Sequence, residues 1–202
     1  MSAEQGTDAW RAERAGRVTA SVFGRLMKAQ RRGQLTIASE ILRDLQHVRA
    51  GEFATRLDDV PAIRWGRDHE SQARAAYVFE TGATVEAAVF VPHATHPLIG
   101  ASPDGLIGSD GLLEIKVPFS RAQHDRYRAD GPGGAFAQVQ GQLWVTGRAW
   151  SDFVSFDPRE REELQLVIHR IPRDEAYIAD LAAKVTAFAD NILAPLLESE
   201  AA

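Results

Sequence analysis

The apolar pattern of this sequence predicts an α/β or α+β fold, a central mixed β-sheet flanked by helices. Three observations carry that expectation. Helical spacing dominates the chain before Gly82, strand-like runs are confined to about 84–117 and 150–171, and one long amphipathic helical pattern closes the chain from Asp174. With 202 residues, 45% of them hydrophobic, the chain has material for one well-cored unit, read here as residues 1–202. Within it the pattern separates a basic helical part at about 1–50, a core at about 65–171 and a C-terminal helix at about 174–199.

In chain order, Asp8-Ala9-Trp10 leads into Arg11, Arg14, Arg17, Arg25, Lys28, Arg31 and Arg32, interleaved with Val18, Val22, Phe23, Leu26 and Met27. Thr19-Ala20-Ser21 offers an N-cap for a helix starting near Ser21. Ile37, Ile41, Leu45 and Val48 recur at helical spacing, so a second helix is expected at about 36–50, ended by Gly51. Residues 52–64 read as a loop. From Gly66 a helix is expected with Ala73, Ala76 and Tyr77 inward, Gly82 as its stop and Glu70 in its first turn.

Thr84 to Val91 reads as a strand ended by Pro92. Leu98 to Ala101 and Leu112 to Val117 read as two more, joined through Asp-Gly turns into a hairpin-like unit. Ser120 caps an expected helix at about 121–129, broken by Gly131-Pro132-Gly133-Gly134. The run from Ala135 puts Gln138 and Gln142 on one helix face, where glutamines are usually solvated, and Phe136, Val139 and Leu143 around the other. Trp150 to Phe156 and Leu164 to Ile171 are strand-like. Ile178, Leu181, Val185, Phe188, Ile192 and Leu196 then mark the long C-terminal helix.

Composition narrows the chemistry. There is no cysteine, which excludes disulfides, thiolate zinc, cysteine nucleophiles and iron–sulfur clusters. The start MSAEQGTDAW lacks a signal-peptide pattern and no run of about 18 apolar residues exists, so a cytoplasmic protein with no membrane partner is expected. A net charge of −5 argues against a polyanionic partner until its distribution is read. Residues 1–32 hold seven Arg/Lys against three Asp/Glu, and residues 151–202 hold five against eleven. A basic end of this kind can hold a polyanion locally.

The stretch GASPDGLIGSDGLLEIKVP, residues 100–118, places Asp104 ten positions before Glu114 and puts Lys116 two beyond it. In a strand Glu114 and Lys116 share one face while Leu113, Ile115 and Val117 take the other. Two carboxylates and an amine can so converge, a donor set that suits Mg²⁺ or Mn²⁺ and an attacking water. Ordinary turns and a half-buried strand explain the same residues. Arg14 and Ser21, with Arg17, Arg25 and Lys28, read either as a phosphate grip at a capped helix start or as a solvated amphipathic helix. His93 and His96 read as a polar surface pair outside the site.

Seven words, QGTDAW (5–10), RAGRVTAS (14–21), WGRDHE (65–70), SPDGL (102–106), LEIKVPF (113–119), AQVQGQLWVT (137–146) and FDPR (156–159), stand in an order that resembles the YqaJ and lambda exonuclease family of the PD-(D/E)XK nuclease superfamily. The resemblance implies a restriction-endonuclease-like core in which Asp104, Glu114 and the Ile115 carbonyl ligate Mg²⁺, with Mn²⁺ as substitute. Glu70 would hold a second ion or its water shell, Lys116 would position or deprotonate water, Gln138 would sit at the rim, and Arg14 and Ser21 would grip a 5′-phosphate. It further implies 5′→3′ digestion of one strand of linear duplex DNA by a ring-shaped homotrimer in a bacterial host cell. The resulting 3′ overhang would pass to a single-strand annealing protein. The alternatives are a structure-specific or restriction-like endonuclease of the same superfamily, a non-catalytic DNA-end-binding module and a hydrolase of small phosphate esters.

Overall fold

The Glu114 strand lies at the centre of a five-stranded sheet. A computed structural model describes residues 5–53 and 60–201 of the chain. The sheet contains β2 (Val85–Ala87), β5 (Gly105–Ile107), β6 (Gly111–Lys116), β7 (Trp150–Phe156) and β8 (Leu166–Pro172), in the order β2-β5-β6-β7-β8. Only β6 and β7 run parallel, so the sheet is mixed as expected. Parallel neighbours need a long return. Here it passes through α5 (Arg121–Asp130) and α6 (Phe136–Thr146). A second sheet, β1 (Val18–Thr19), β4 (Ile99–Ala101) and β3 (Val91–Pro92), is ordered β1-β4-β3.

The alternation of β6 decides how the layers stack. Leu113, Ile115 and Val117 pack on Ala73 and Tyr77 of α4 (Pro61–Thr81), while Leu112 packs on Val139 and Leu143 of α6 and Ile178 of α8 (Glu175–Phe188). Each face of the sheet is therefore covered by a helix. A third core joins the two ends of the chain: Phe23 and Leu26 of α2 (Ala20–Lys28), and Ile37 and Ile41 of α3 (Arg31–Arg49), meet Leu181, Val185 and Phe188 of α8. The basic N-terminal part is thus built upon the C-terminal helix.

Several expectations change. A helix α1 (Asp8–Arg14) precedes β1, and α3 begins five residues earlier than its apolar spacing indicated. Of the expected loop at 52–64, residues 54–59 lie outside the described residues and 61–64 are helical, because Pro61 opens α4 at a position where its missing N–H costs nothing. Glu70 accordingly sits in the third turn of α4, not the first, and Gly82 ends that helix in the left-handed region with φ 66°. The strand expected at 84–91 is two short strands in different sheets. The hairpin partner of β6 is β5, registered Gly105 to Leu113, and not residues 98–101, which form β4 of the other sheet. A short helix α7 (Glu162–Gln165) takes the start of the strand expected at 164–171, and the C-terminal helix is α8, a π-helical turn at Ala189–Leu193 and α9 (Ala194–Ala201).

Candidate active site

β5 stops at Gly105, opposite Leu113, and leaves the last part of β6 without a cross-strand partner on that edge. Asp104 fills the gap. Its N–H donates to the Leu113 carbonyl (2.9 Å) and its Oδ2 accepts the Ile115 N–H (2.6 Å). N–H and C=O of one strand residue leave on the same side, so the Ile115 carbonyl is also turned to this edge. Arg74 of α4 anchors the turn by donating Nη2 to the Asp104 carbonyl at 2.5 Å, and the same group stands 3.8 Å from Glu70 Oε1.

On the α6 side, Glu114 is 1% exposed and fully engaged. Its Oε1 accepts Lys116 Nζ (2.6 Å) and Gln138 Nε2 (2.6 Å), and its Oε2 accepts Gln142 Nε2 (2.6 Å). Lys116 also donates to Gln138 Oε1 at 3.1 Å. Residues four apart share a helix face, so one face of α6 delivers both amides. That face is turned onto the carboxylate, not solvated. Gln142 is completely buried and its Oε1 has no hydrogen-bond partner.

Burial, reinforced by the negative charges of Glu114 and Glu70, pushes Asp104 up to about 8. Burial also raises Glu70, with the Arg74 guanidinium opposing. Burial pulls Lys116 down, yet the carboxylates of Glu114 and Asp104 outweigh it and hold the ammonium above its usual range. One ammonium thus faces three carboxylates. A divalent cation fits such a set, because it would relieve the repulsion that raises Asp104. Among the described residues no three acidic or imidazole groups form a closed cage. An open set of Asp104, Glu114 and the Ile115 carbonyl suits an ion that keeps several waters.

Arg14, the last residue of α1, arrives from the opposite side. Its Nη1 donates to Ser102 Oγ (2.8 Å) and its Nη2 to Thr19 Oγ1 (3.3 Å), while its guanidinium lies 4.3 Å from the centre of the Trp10 ring. Trp10 Nε1 donates to the same Ser102 Oγ at 3.2 Å. Thr19 stands at the N-cap of α2 without a side-chain cap bond, its hydroxyl 3.0 Å from that of Ser21. Burial lowers Arg14 to about 10 against the carboxylates of Asp104, Asp44 and Glu114, which leaves it cationic at neutral pH. The open N-terminus of α2, the guanidinium and the hydroxyls are donors of the kind that can hold an anion. A single cavity of about 240 Å³ is lined by Arg14, Ser21 and Ser102 together with Glu70, Asp104, Glu114, Ile115, Lys116, Gln138 and Gln142.

The remaining basic candidates do not line that cavity. Arg17 donates to the carbonyls of Pro97 (2.8 Å) and Glu13, Arg25 pairs with Glu40 at 2.7 Å, and Lys28 is exposed on α2. His93 and His96 stand with ring centres 5.1 Å apart, and His93 packs on Trp144. Sequence reasoning passed over Gln142, Ser102, Trp10 and Thr19. Gln142 was signalled by its spacing from Gln138, and Ser102 by lying two residues before Asp104.

Residues 9–149 match the YqaJ-like viral recombinase domain. The chain belongs to that family. Its fold is similar to that of an alkaline exonuclease from Laribacter hongkongensis, LHK-Exo, at 34% identity and a TM-score of 0.83, covering 96% of this chain and 98% of that one. The structure of LHK-Exo in complex with dAMP superposes with a TM-score of 0.82, at 35% identity over 96% and 95% of the two chains. A phage related exonuclease from Haemophilus somnus shares the fold with a TM-score of 0.69, at 15% identity over 92% and 96% of the two chains. An uncharacterized protein of Acanthamoeba polyphaga mimivirus is 33% identical over an alignment of 106 residues that covers 46% of this chain and 19% of that relative's length. This YqaJ-like chain thus carries the PD-(D/E)XK type of fold, and no helix among its described residues is long and apolar enough to cross a membrane.

Proposed function

We propose that this YqaJ-like protein is a metal-dependent exonuclease that digests one strand of linear double-stranded DNA from its 5′ end and leaves a 3′ overhang. One observation carries the reading. Arg14, Ser21 and Ser102 line one cavity of about 240 Å³ with the Asp104–Glu114–Lys116 cluster, so a terminal phosphate bound by the first group lies beside the second. A terminal phosphate held by Arg14, Ser21, Ser102 and the α2 N-terminus leaves the next phosphodiester beside Asp104 and Glu114. The similarity to LHK-Exo, named an alkaline exonuclease, supports the same reading.

Asp104, Glu114 and the Ile115 carbonyl would hold Mg²⁺, with Mn²⁺ as substitute and Glu70 toward a second ion. Bound there, the ion lowers the pKa of a water and offsets charge at phosphorus. Gln138 and Gln142 orient Glu114, and Arg74 holds the Asp104 turn. Lys116 donates from Nζ to Glu114 at 2.6 Å and to Gln138 at 3.1 Å, which holds the amine where it would position or deprotonate the attacking water. The assembly that accompanies this reading is a homotrimeric ring that hands the overhang to a single-strand annealing protein.

The test offers linear duplex with 5′-phosphate or 5′-hydroxyl ends, and a covalently closed circle, to wild type and Asp104→Ala with Mg²⁺ or chelator. Digestion of linear DNA by wild type in Mg²⁺ alone, faster from 5′-phosphate, is expected. Equal activity in chelator ends the metal claim, and cleavage of the circle turns the reading to an endonuclease.

A further inference from the structure

Three residues beyond Lys116, the ring of Phe119 is 52% exposed. Three residues of chain span at most about 10 Å, so the Phe119 backbone lies within that reach of Lys116. The ring does not stand alone. Phe119 meets Trp65 of α4 edge-on, with centroids 6.1 Å apart and planes at 79°. Trp65 in turn packs on His69 at 3.9 Å and lies under the Arg159 guanidinium at 4.5 Å.

Arg159 is held in place. Asp157 takes two of its bonds, at 2.8 and 2.7 Å, and the Pro118 carbonyl accepts a third at 3.4 Å. The loop after β7 thereby clamps the loop after β6. Because β6 and β7 are parallel, both loops leave the sheet at the edge that carries Lys116. Two guanidinium groups stand at the cluster: Arg159 covers the indole, and Arg121, two residues after Phe119, donates to the Arg159 carbonyl at 3.3 Å and lies 3.6 Å from Glu160. Trp65 Nε1 is also buried without an acceptor.

We infer that the exposed ring of Phe119, backed by Trp65 and Arg159, is a stacking platform for a nucleobase of the digested strand, one or two nucleotides beyond the scissile phosphate. The inference rests on the exonuclease reading and deepens it. Sheet order places the two sites on opposite sides of β6: Ser102 and Asp104 precede β5, and Arg159 follows β7. Neighbouring strands are about 4.8 Å apart and stacked nucleotides about 3.4 Å, so a strand crossing the end of β6 reaches the platform within two nucleotides. An aromatic face among guanidinium groups matches a base flanked by phosphates. Nothing in the cluster reads a base edge, so the contact is tolerant of sequence.

The experiment uses the full chain with 5′-phosphorylated linear duplex carrying 2-aminopurine at one of the first four positions of the digested strand. Ca²⁺ replaces Mg²⁺ for binding, and Mg²⁺ is used for turnover. With wild type, quenching is expected at the second or third position. Phe119→Ala should remove that quenching and weaken binding by about tenfold, in the range typical of one lost base–aromatic stack. Its KM should rise more than its kcat falls, and Phe119→Tyr should restore both readouts. Wild-type quenching and affinity in Phe119→Ala overturn the platform. So does a change of mass by light scattering with DNA binding intact, since the face is then a contact between copies. A wild type that digests no DNA in Mg²⁺ removes the exonuclease reading instead, whatever Phe119→Ala does.

Discussion

Gln142 shows how much of a buried site depends on a single amide. Its Nε2 donates to Glu114 Oε2 at 2.6 Å, and both side chains are buried. Gln142→Ala should leave that oxygen unpaired, at about 1–3 kcal/mol of stability, and lower kcat more than tenfold; denaturant melts and steady-state assays check the two effects. Arg14→Ala should erase the preference for 5′-phosphate over 5′-hydroxyl ends while sparing hydrolysis of hydroxyl ends, and equal losses on both would count against a phosphate grip. Asp104 carries a pH signature. Its pKa is about 8 in the folded protein against 3.8 for a free carboxyl, so between those values the folded state binds the extra proton. Stability of the metal-free protein should therefore fall as pH rises from about 4 to about 8. Thermal melts should show this slope in wild type and not in Asp104→Asn, and Mg²⁺ should stabilise wild type more at pH 8.5 than at pH 6. Glu114 and Lys116 were legible as neighbours on one face because strand alternation is local, and Asp104 only by its spacing from Glu114. Gln142 was not, because helical spacing groups side chains on a face without saying what that face meets.

Among the elements, α2 and α6 set the span between Ser21 and Glu114. They approach closely at Gly141, where an added Cβ would lie 2.3 Å from the Phe23 ring. Gly141→Ala should force α2 outward, cost about 1–3 kcal/mol and raise KM through the displaced Ser21. Unchanged stability and KM would show that the two helices can slide without consequence. In α4, Arg74 ties the Asp104 turn to the helix that carries Glu70. Arg74→Ala should weaken Mn²⁺ binding, read by titration calorimetry, with Arg74→Lys recovering part of it. Most of these helices were visible in sequence, including α5, α6 and the Gly82 stop of α4. Their starts were less so, since α3 opens on two arginines and a glycine, and α4 on a proline that looked like part of a loop. Charged and proline-rich first turns carry no apolar period.

Across the whole molecule, the mixed sheet and its helical layers follow from the order of apolar patterns, and so does the common face of Glu114 and Lys116 on β6. Contacts between distant segments do not. The apolar run at 84–91 divides between two sheets without a break in its pattern, because pairing is decided by partners elsewhere in the chain. β5 is three residues long, too short to show alternation, yet it is the strand whose early end exposes Ile115. The trimeric reading belongs to this scale: light scattering should give about three times the 22.2 kDa chain mass, and a monomer with full processivity would refute the ring. By itself the sequence determined the layers, the carboxylate–lysine strand and the family to which they belong, since each rests on local period or on short words in order. Only the tertiary structure decided that Arg14 and Ser21 open into the same cavity as Glu114, because that cavity forms where α1, α2, α4 and α6 close over β6.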